Sequence, residues 1–190
     1  MHALRRICNV VARPGAEWER IAAEPASVTQ LLVRYVLPLA LLAPAAAVVG
    51  MRSFGIDWDP RHGYRVEAAN ILAAGATTYV ALVGSILALA AIFVAIAPLY
   101  GSSRSYVAAL KVATFGSVPV LLAGGTLVIP VMAVVAMLAG LQTLVLFWEG
   151  AGHVLQVRED SRSEFVGASM ILLVAASTIA GAAASGLGFL

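Results

Sequence analysis

Ala68 to Ser103 runs for 36 residues without one Asp, Glu, Lys, Arg or His, and Val112 to Trp148 does so for 37. A helix rising 1.5 Å per residue crosses a hydrocarbon core of about 30 Å in roughly 20 apolar residues, so runs of this length point to a bilayer. The whole chain carries the same bias. Of its 190 residues 61% are apolar and 12% charged, where soluble domains have roughly 45–50% and about 25%. An ordinary soluble globule is excluded, and so is intrinsic disorder, which needs low hydrophobicity and high net charge. A net charge of +2 offers no field for a polyanion, so no nucleic-acid partner is expected. Cys8 is the single cysteine, which excludes an internal disulfide and a thiolate metal cluster. The expected fold class is all-α, a polytopic transmembrane helical bundle.

Five spans are expected, at about residues 31–51, 70–98, 106–124, 127–148 and 165–188. The first contains Pro38 and Pro44. The second reads as one long tilted helix that stops near Pro98 and Gly101. The run from Val112 to Trp148 equals about 55 Å of helix, too long for one crossing. Gly124-Gly125-Thr126 followed by Pro130 divides it into a tight hairpin of two spans, the first starting near Tyr106 with Lys111 snorkelling to the interface. Cytoplasmic segments retain basic residues. With the amino terminus inside, that side holds Arg5, Arg6, Arg13, Arg20, Arg34, Arg104, Lys111, Arg158 and Arg162, and the other only Arg52, Arg61 and Arg65. Nine against three predicts a cytoplasmic amino terminus, an outside carboxyl terminus and a multi-pass protein of the cell membrane.

Residues 1–28 form a cytoplasmic amphipathic segment ahead of a membrane domain at 29–190. No signal peptide is read, because charge interrupts Leu4-Arg5-Arg6-Ile7-Cys8 before an apolar stretch of sufficient length. Leu4, Ile7, Cys8 and Val11 recur at helical spacing with arginines elsewhere on the wheel, the pattern of an interfacial helix. Pro14 suits a first helical turn. Beyond it Trp18, Ile21 and Ala22 share a face, with Glu17, Glu19, Arg20 and Glu24 on the other. Trp18 and Ile21 are the expected interfacial anchors, since tryptophan settles at the headgroups. Packing of this helix beneath its own bundle, and a docking surface for a partner, are the other readings.

Ion-coupled transporters place ionisable groups at bilayer depth. Here every charge lies outside the expected spans or at their ends. The interior polar groups are Thr77, Thr78, Ser85, Thr114, Ser117, Gln142, Thr143, Ser177 and Thr178, which suit hydrogen bonds across helices or to their own carbonyls. Pro38, Pro44 and Pro119 free backbone carbonyls, and with Thr114 and Ser117 they mark kinks and a candidate pathway. Asp57, Asp59 and His62 could hold a hard metal, but Asp-Pro and His-Gly turn chemistry accounts for them better. Glu149 and His153 could exchange a proton, yet the chain has no nucleophile motif, phosphate loop or HExxH. No catalytic residue, cofactor or metal is assigned. On the fifth span Ala176, Ala180, Ala184 and Gly188 recur at every fourth position, beside Ser177, Gly181 and Ser185. Small residues at that spacing let another helix approach closely, so the row is expected to dock the span within its own bundle, a second copy being the other neighbour.

The run Pro14-Gly15-Ala16-Glu17-Trp18-Glu19-Arg20-Ile21, then Glu24-Pro25 and Tyr35-Val36-Leu37-Pro38-Leu39, resembles the opening of bacterial members of the Ypt-interacting-protein (YIP) membrane family. Leu99-Tyr100-Gly101 with Tyr106 and Leu110, Ala113 to Pro119, the Ile129-Pro130 hairpin and the Gly150 region fit the same pattern. The similarity covers nearly the whole chain. It implies five spans, a cytoplasmic amino terminus and no known catalysis. Eukaryotic relatives associate with Rab-type GTPases and vesicle-trafficking machinery, which bacteria lack, and the amino-terminal segment here, about thirty residues, is without their long soluble region. Eleven arginines against one lysine, with abundant alanine and glycine, point to a GC-rich bacterium and its inner membrane. The expected role is a non-enzymatic integral membrane protein, a membrane-organising or protein/lipid-interaction scaffold; the alternative is a small-solute or lipid facilitator or channel without ion coupling. The expected partners are the lipid bilayer and a membrane protein or second copy of the chain.

Overall fold

The computed structural model of the protein describes residues 2–54, 68–102, 105–128 and 132–186, and among them every regular element is helical. The helices are α1 (His2–Ala12), α2 (Pro14–Ala23), α3 (Val28–Leu31), α4 (Leu37–Ala40), α5 (Leu42–Phe54), α6 (Ala68–Ile96), α7 (Tyr106–Gly116), α8 (Val118–Gly124), α9 (Ala133–His153) and α10 (Glu159–Gly186). Three helical runs are long and apolar enough to cross a membrane: Val28–Arg52, Asn70–Tyr100 and Glu159–Ala183. The pair α7 and α8, bent by 43°, makes a fourth if it counts as one crossing. The described helices thus hold three or four candidate crossings by length and composition, within the five expected.

The first run is helical throughout but not uniform. Ser27 opens it with a capping box, its Oγ accepting from the Gln30 N–H at 3.2 Å while its own N–H donates to Gln30 Oε1 at 3.2 Å, so two of the donors left over at a helix start are satisfied. A π turn at Leu32–Val36 precedes Pro38, with the Leu37 N–H reaching back to the Leu32 carbonyl. Proline cannot donate to the carbonyl four residues earlier, and the wider turn absorbs that loss. After a break at Leu41 the Ala45 N–H bonds the Leu41 carbonyl at 3.1 Å, so Pro44 falls in a first turn, where its missing donor is harmless.

The long second run stops as its sequence suggests. Pro98 and Gly101 lie in and after a 3₁₀ turn, and Gly101 takes φ 73°, a left-handed cap that costs glycine little. The hairpin differs. Gly125–Val128 form a 3₁₀ turn, and α9 covers Ala133–His153, about six residues later than the expected fourth span. The last helix starts at Glu159, six residues before the expected fifth span, with Glu159 and Asp160 in its first turn, where acidic groups favour the helix dipole.

Helix α7 is the centre of the bundle. Residues 109–116 are all buried, as suits a helix apolar on every side. Close approach is set by glycines. Gly116 faces the ring of Phe147 on α9, Gly124 faces Ala43 on α5, and Gly50 lies under the backbone of Val128. Two aromatic clusters fill the basic end, Trp18–Phe115–Tyr35 and Phe147–Phe93–Phe165–Tyr100. The face of α9 away from α7 exposes Val134, Met137, Leu138, Leu141 and Val145, an apolar surface that belongs in lipid.

Candidate functional site

Of the readings of residues 1–28, the structure favours packing against the chain's own bundle, with α1 against α2 and α8 and α2 against α9. Trp18 and Ile21 are 0% and 1% exposed. They are therefore not headgroup anchors: Trp18 meets Phe115 edge-on at 6.5 Å and lies against Gly150 and Val112. The apolar stripe of α1 is rotated as well. Ile7 and Val10 are buried, α1 touches α8, and Leu4 and Cys8 are exposed. The reason lies in the polar side of the helix, since Arg6 and Asn9 turn toward Glu17.

Glu17, expected on the exposed face of α2, is only 4% exposed. Arg6 Nε donates to it at 3.2 Å, Asn9 Nδ2 at 3.3 Å and Arg20 at 3.5 Å. A carboxylate so deeply placed needs such donors in exchange for the water it has lost. Arg6 also reaches Glu24 at 2.5 Å, which holds the Glu24 carboxyl below the usual carboxylate range and raises the Arg6 guanidinium further. Lys111 does not snorkel to water. It is 7% exposed and donates to the carbonyls of Ile21 at 2.7 Å and Glu24 at 2.6 Å. These close the carboxyl end of α2, where a cation is favoured by the unpaired carbonyls and the dipole.

Between α1, α2, the start of the first long run and α7 lies a hollow of about 180 Å³ lined by Arg6, Glu24, Leu31, Arg34, Lys111 and Phe115 among others. It adjoins a second of about 530 Å³, lined by Arg5, Arg6, Asn9, Glu17, Arg20, Glu24, Arg34 and Tyr35. Arg6, Glu24, Arg34 and Tyr35 border both. Five cations thus face two carboxylates, and both carboxylates are already engaged by Arg6. Arg34 has only the Tyr35 ring, 6.0 Å from its Cζ, and neither it nor Arg5 has a carboxylate partner among the described residues.

The expected pathway residues border no shared open space among the described residues. Thr114 and Ser117 are buried, as are Pro44 and Pro119, while Pro38 is exposed, and none of the five lines a hollow or groove described here. Tyr79 donates to the Leu37 carbonyl at 3.3 Å, next to Pro38. Thr114 Oγ1, Thr143 Oγ1 and Trp18 Nε1 are buried without a hydrogen-bond partner among the described residues.

Ala176 and Ala180 of the small-residue row are exposed and Gly181 is half-buried. The row faces α6 of its own bundle, across an open groove of about 730 Å³ bordered there by Thr77, Ala81, Gly84, Ser85 and Ala88. Ser177 bonds the Val174 carbonyl of its own helix at 2.8 Å rather than a facing one. The side chains of Ala184 and Ser185, and all of Gly188, lie outside the described residues, as does the Asp57–His62 loop. His153 Nδ1 is 2.9 Å from the Glu149 carbonyl and 3.8 Å from its carboxylate, one turn of α9.

The family model described as the Yip1 domain matches residues 9–181. No curated protein and no solved structure gives a match.

Proposed function

Because the chain belongs to the Yip1-domain family of multi-pass membrane proteins, we propose that it is a non-enzymatic scaffold of the cell membrane, which holds a membrane protein or a second copy of itself against a rigid bundle. The observation that carries this reading is the groove between α6 and α10. Apart from Leu173, its walls are small residues, alanine, glycine and serine on both helices and Thr77 on α6. Lipid offers no hydrophobic penalty to overcome, so helix association there relies on close packing, which small residues permit.

The topology follows the positive-inside pattern with five crossings. Val128 sits at Gly50, at the far end of the first run, and Gly150 sits at Trp18, at its near end. Helix α9, about 31 Å long at 1.5 Å per residue, connects those two ends, which supports its being a crossing of its own. The facilitator reading has less support, because Thr114, Ser117 and Pro119 are packed between helices and Pro38 faces outward.

The test is Ala180→Leu in the full chain, extracted in mild detergent. We expect loss of the larger assembly, read by mass, with thermal stability unchanged, because the side chain fills an open groove. An unchanged assembly would remove the groove from partner binding. Solute flux in proteoliposomes that is abolished by changing Thr114 or Ser117 would favour the facilitator instead.

A further inference from the structure

We propose that the hollow between α1, α2, Arg34 and Lys111 is a binding site for a phosphate-bearing group. Three observations place it. The lining carries Arg5, Arg6, Arg20, Arg34 and Lys111 against Glu17 and Glu24, and the two carboxylates already receive Arg6, Asn9 and Arg20. Positive charge is therefore left over on the side where Arg34 and Arg5 stand without a carboxylate. An ammonium has three protons, and Lys111 spends two on the α2 carbonyls, which leaves one for a ligand oxygen. The planar, forked donors of several guanidinium groups can pair at once with the tetrahedrally arranged oxygens of a phosphate, which offers more acceptors than a single carboxylate.

The site is also two-faced. Pro25, Leu31, Tyr35 and Phe115 line the smaller hollow beside the charges, so an ester carried by the phosphate has an apolar wall to lie on. Arg34 stands near the start of the run Val28–Arg52, at the same end of the bundle as the other basic residues of the lining. The phosphate of an anionic lipid and that of a soluble phosphate ester share this chemistry. The inference does not rest on the scaffold reading, since it concerns a different face of the bundle.

The experiment uses the full chain in phosphatidylcholine nanodiscs, with phosphatidic acid added to the bilayer or inorganic phosphate to the buffer, and reads thermal stabilisation as a saturable curve. Arg34→Gln tests the site. Arg34 is exposed and has no carboxylate partner among the described residues, so the variant should fold. Arg52→Gln, at the other end of the first run, is the control. We expect stabilisation whose midpoint shifts by roughly tenfold or more in Arg34→Gln, as for loss of a charged hydrogen bond, with partial rescue by Arg34→Lys and no shift in Arg52→Gln. Saturation with phosphatidic acid alone assigns the site to a lipid headgroup; saturation with phosphate assigns it to a soluble phosphate. No saturable effect of either, or equal shifts in the two glutamine variants, would overturn the proposal.

Discussion

A Cβ built on Gly150 would stand 2.9 Å from Cη2 of Trp18 and 3.0 Å from Cγ1 of Val112, too close for either to stay. Trp18 is the largest fully buried side chain, and deleting a buried aromatic costs roughly 3–5 kcal/mol, whereas an exposed ion pair is worth about 0.2–1 kcal/mol. Gly150→Val is therefore expected to lower the melting temperature and release Trp18. With Trp58 and Trp148 replaced by phenylalanine, a red shift of the Trp18 emission would report it, and an unshifted spectrum would mean that the contact is dispensable. Gln156 offers the opposite case. Its φ is 57°, a conformation that costs a non-glycine residue about 1 kcal/mol or more, in a loop tied down by the buried Leu155 and Val157 and by the bond from Ser102 to the Leu155 carbonyl. Gln156→Gly should raise stability by up to about 1 kcal/mol, the entropy gained by the unfolded chain offsetting part of the relief. A fall in melting temperature would show that the glutamine makes up its own strain.

At the level of elements, α2 is fastened at both ends. Glu17 near its start holds α1, and Lys111 on α7 holds its last carbonyls. Lys111→Met removes both bonds, so the amides of α2 should exchange faster by roughly tenfold while those of α9 stay protected. Equal exchange would mean that apolar packing alone holds α2. The Arg6–Glu24 pair predicts a pH effect of known sign. Arg6 keeps the folded Glu24 carboxyl below its ordinary value, so the pair's contribution is complete above the unfolded value, near pH 4.3 as an order of magnitude. It is lost as pH falls through the lower folded value. Half of that side chain is in water, so the effect is small. Exchange in α1 should rise on acidification in the wild type and rise less in Glu24→Gln; identical profiles would dismiss the pair.

Over the whole molecule, the buried side chains gather at the basic end, where α1, α2, the start of α7, the end of α9 and the start of α10 meet. Toward the other end α6 and α10 expose Val80, Ile171, Val174 and Ile179 and leave the groove open. The five-crossing proposal predicts that reporters fused after Ser103 and Glu159 read as cytoplasmic and those after Gly125 and Leu190 as outside. Equal cytoplasmic signals at Glu159 and Leu190 would refute it.

Apolar runs, prolines and glycines decided from the sequence alone that this is an all-helical membrane protein, and they located Val28–Arg52 and Asn70–Tyr100 within a few residues. The short motifs around Trp18, Tyr100 and Pro119 were enough to indicate the family. Such signals are local: a helix in lipid must satisfy its own backbone, so its length and breaks are written in consecutive residues. The rotation of α1, the burial of Glu17 and Trp18 and the task of Lys111 were not legible, because each depends on a partner distant in the chain, 90 residues away for Lys111 and Ile21. A charge near the end of an apolar run looks the same whether it reaches water or closes another helix. Only the packing of α2 against α7 and α9 decides between them, by removing the water that would otherwise have taken the bond.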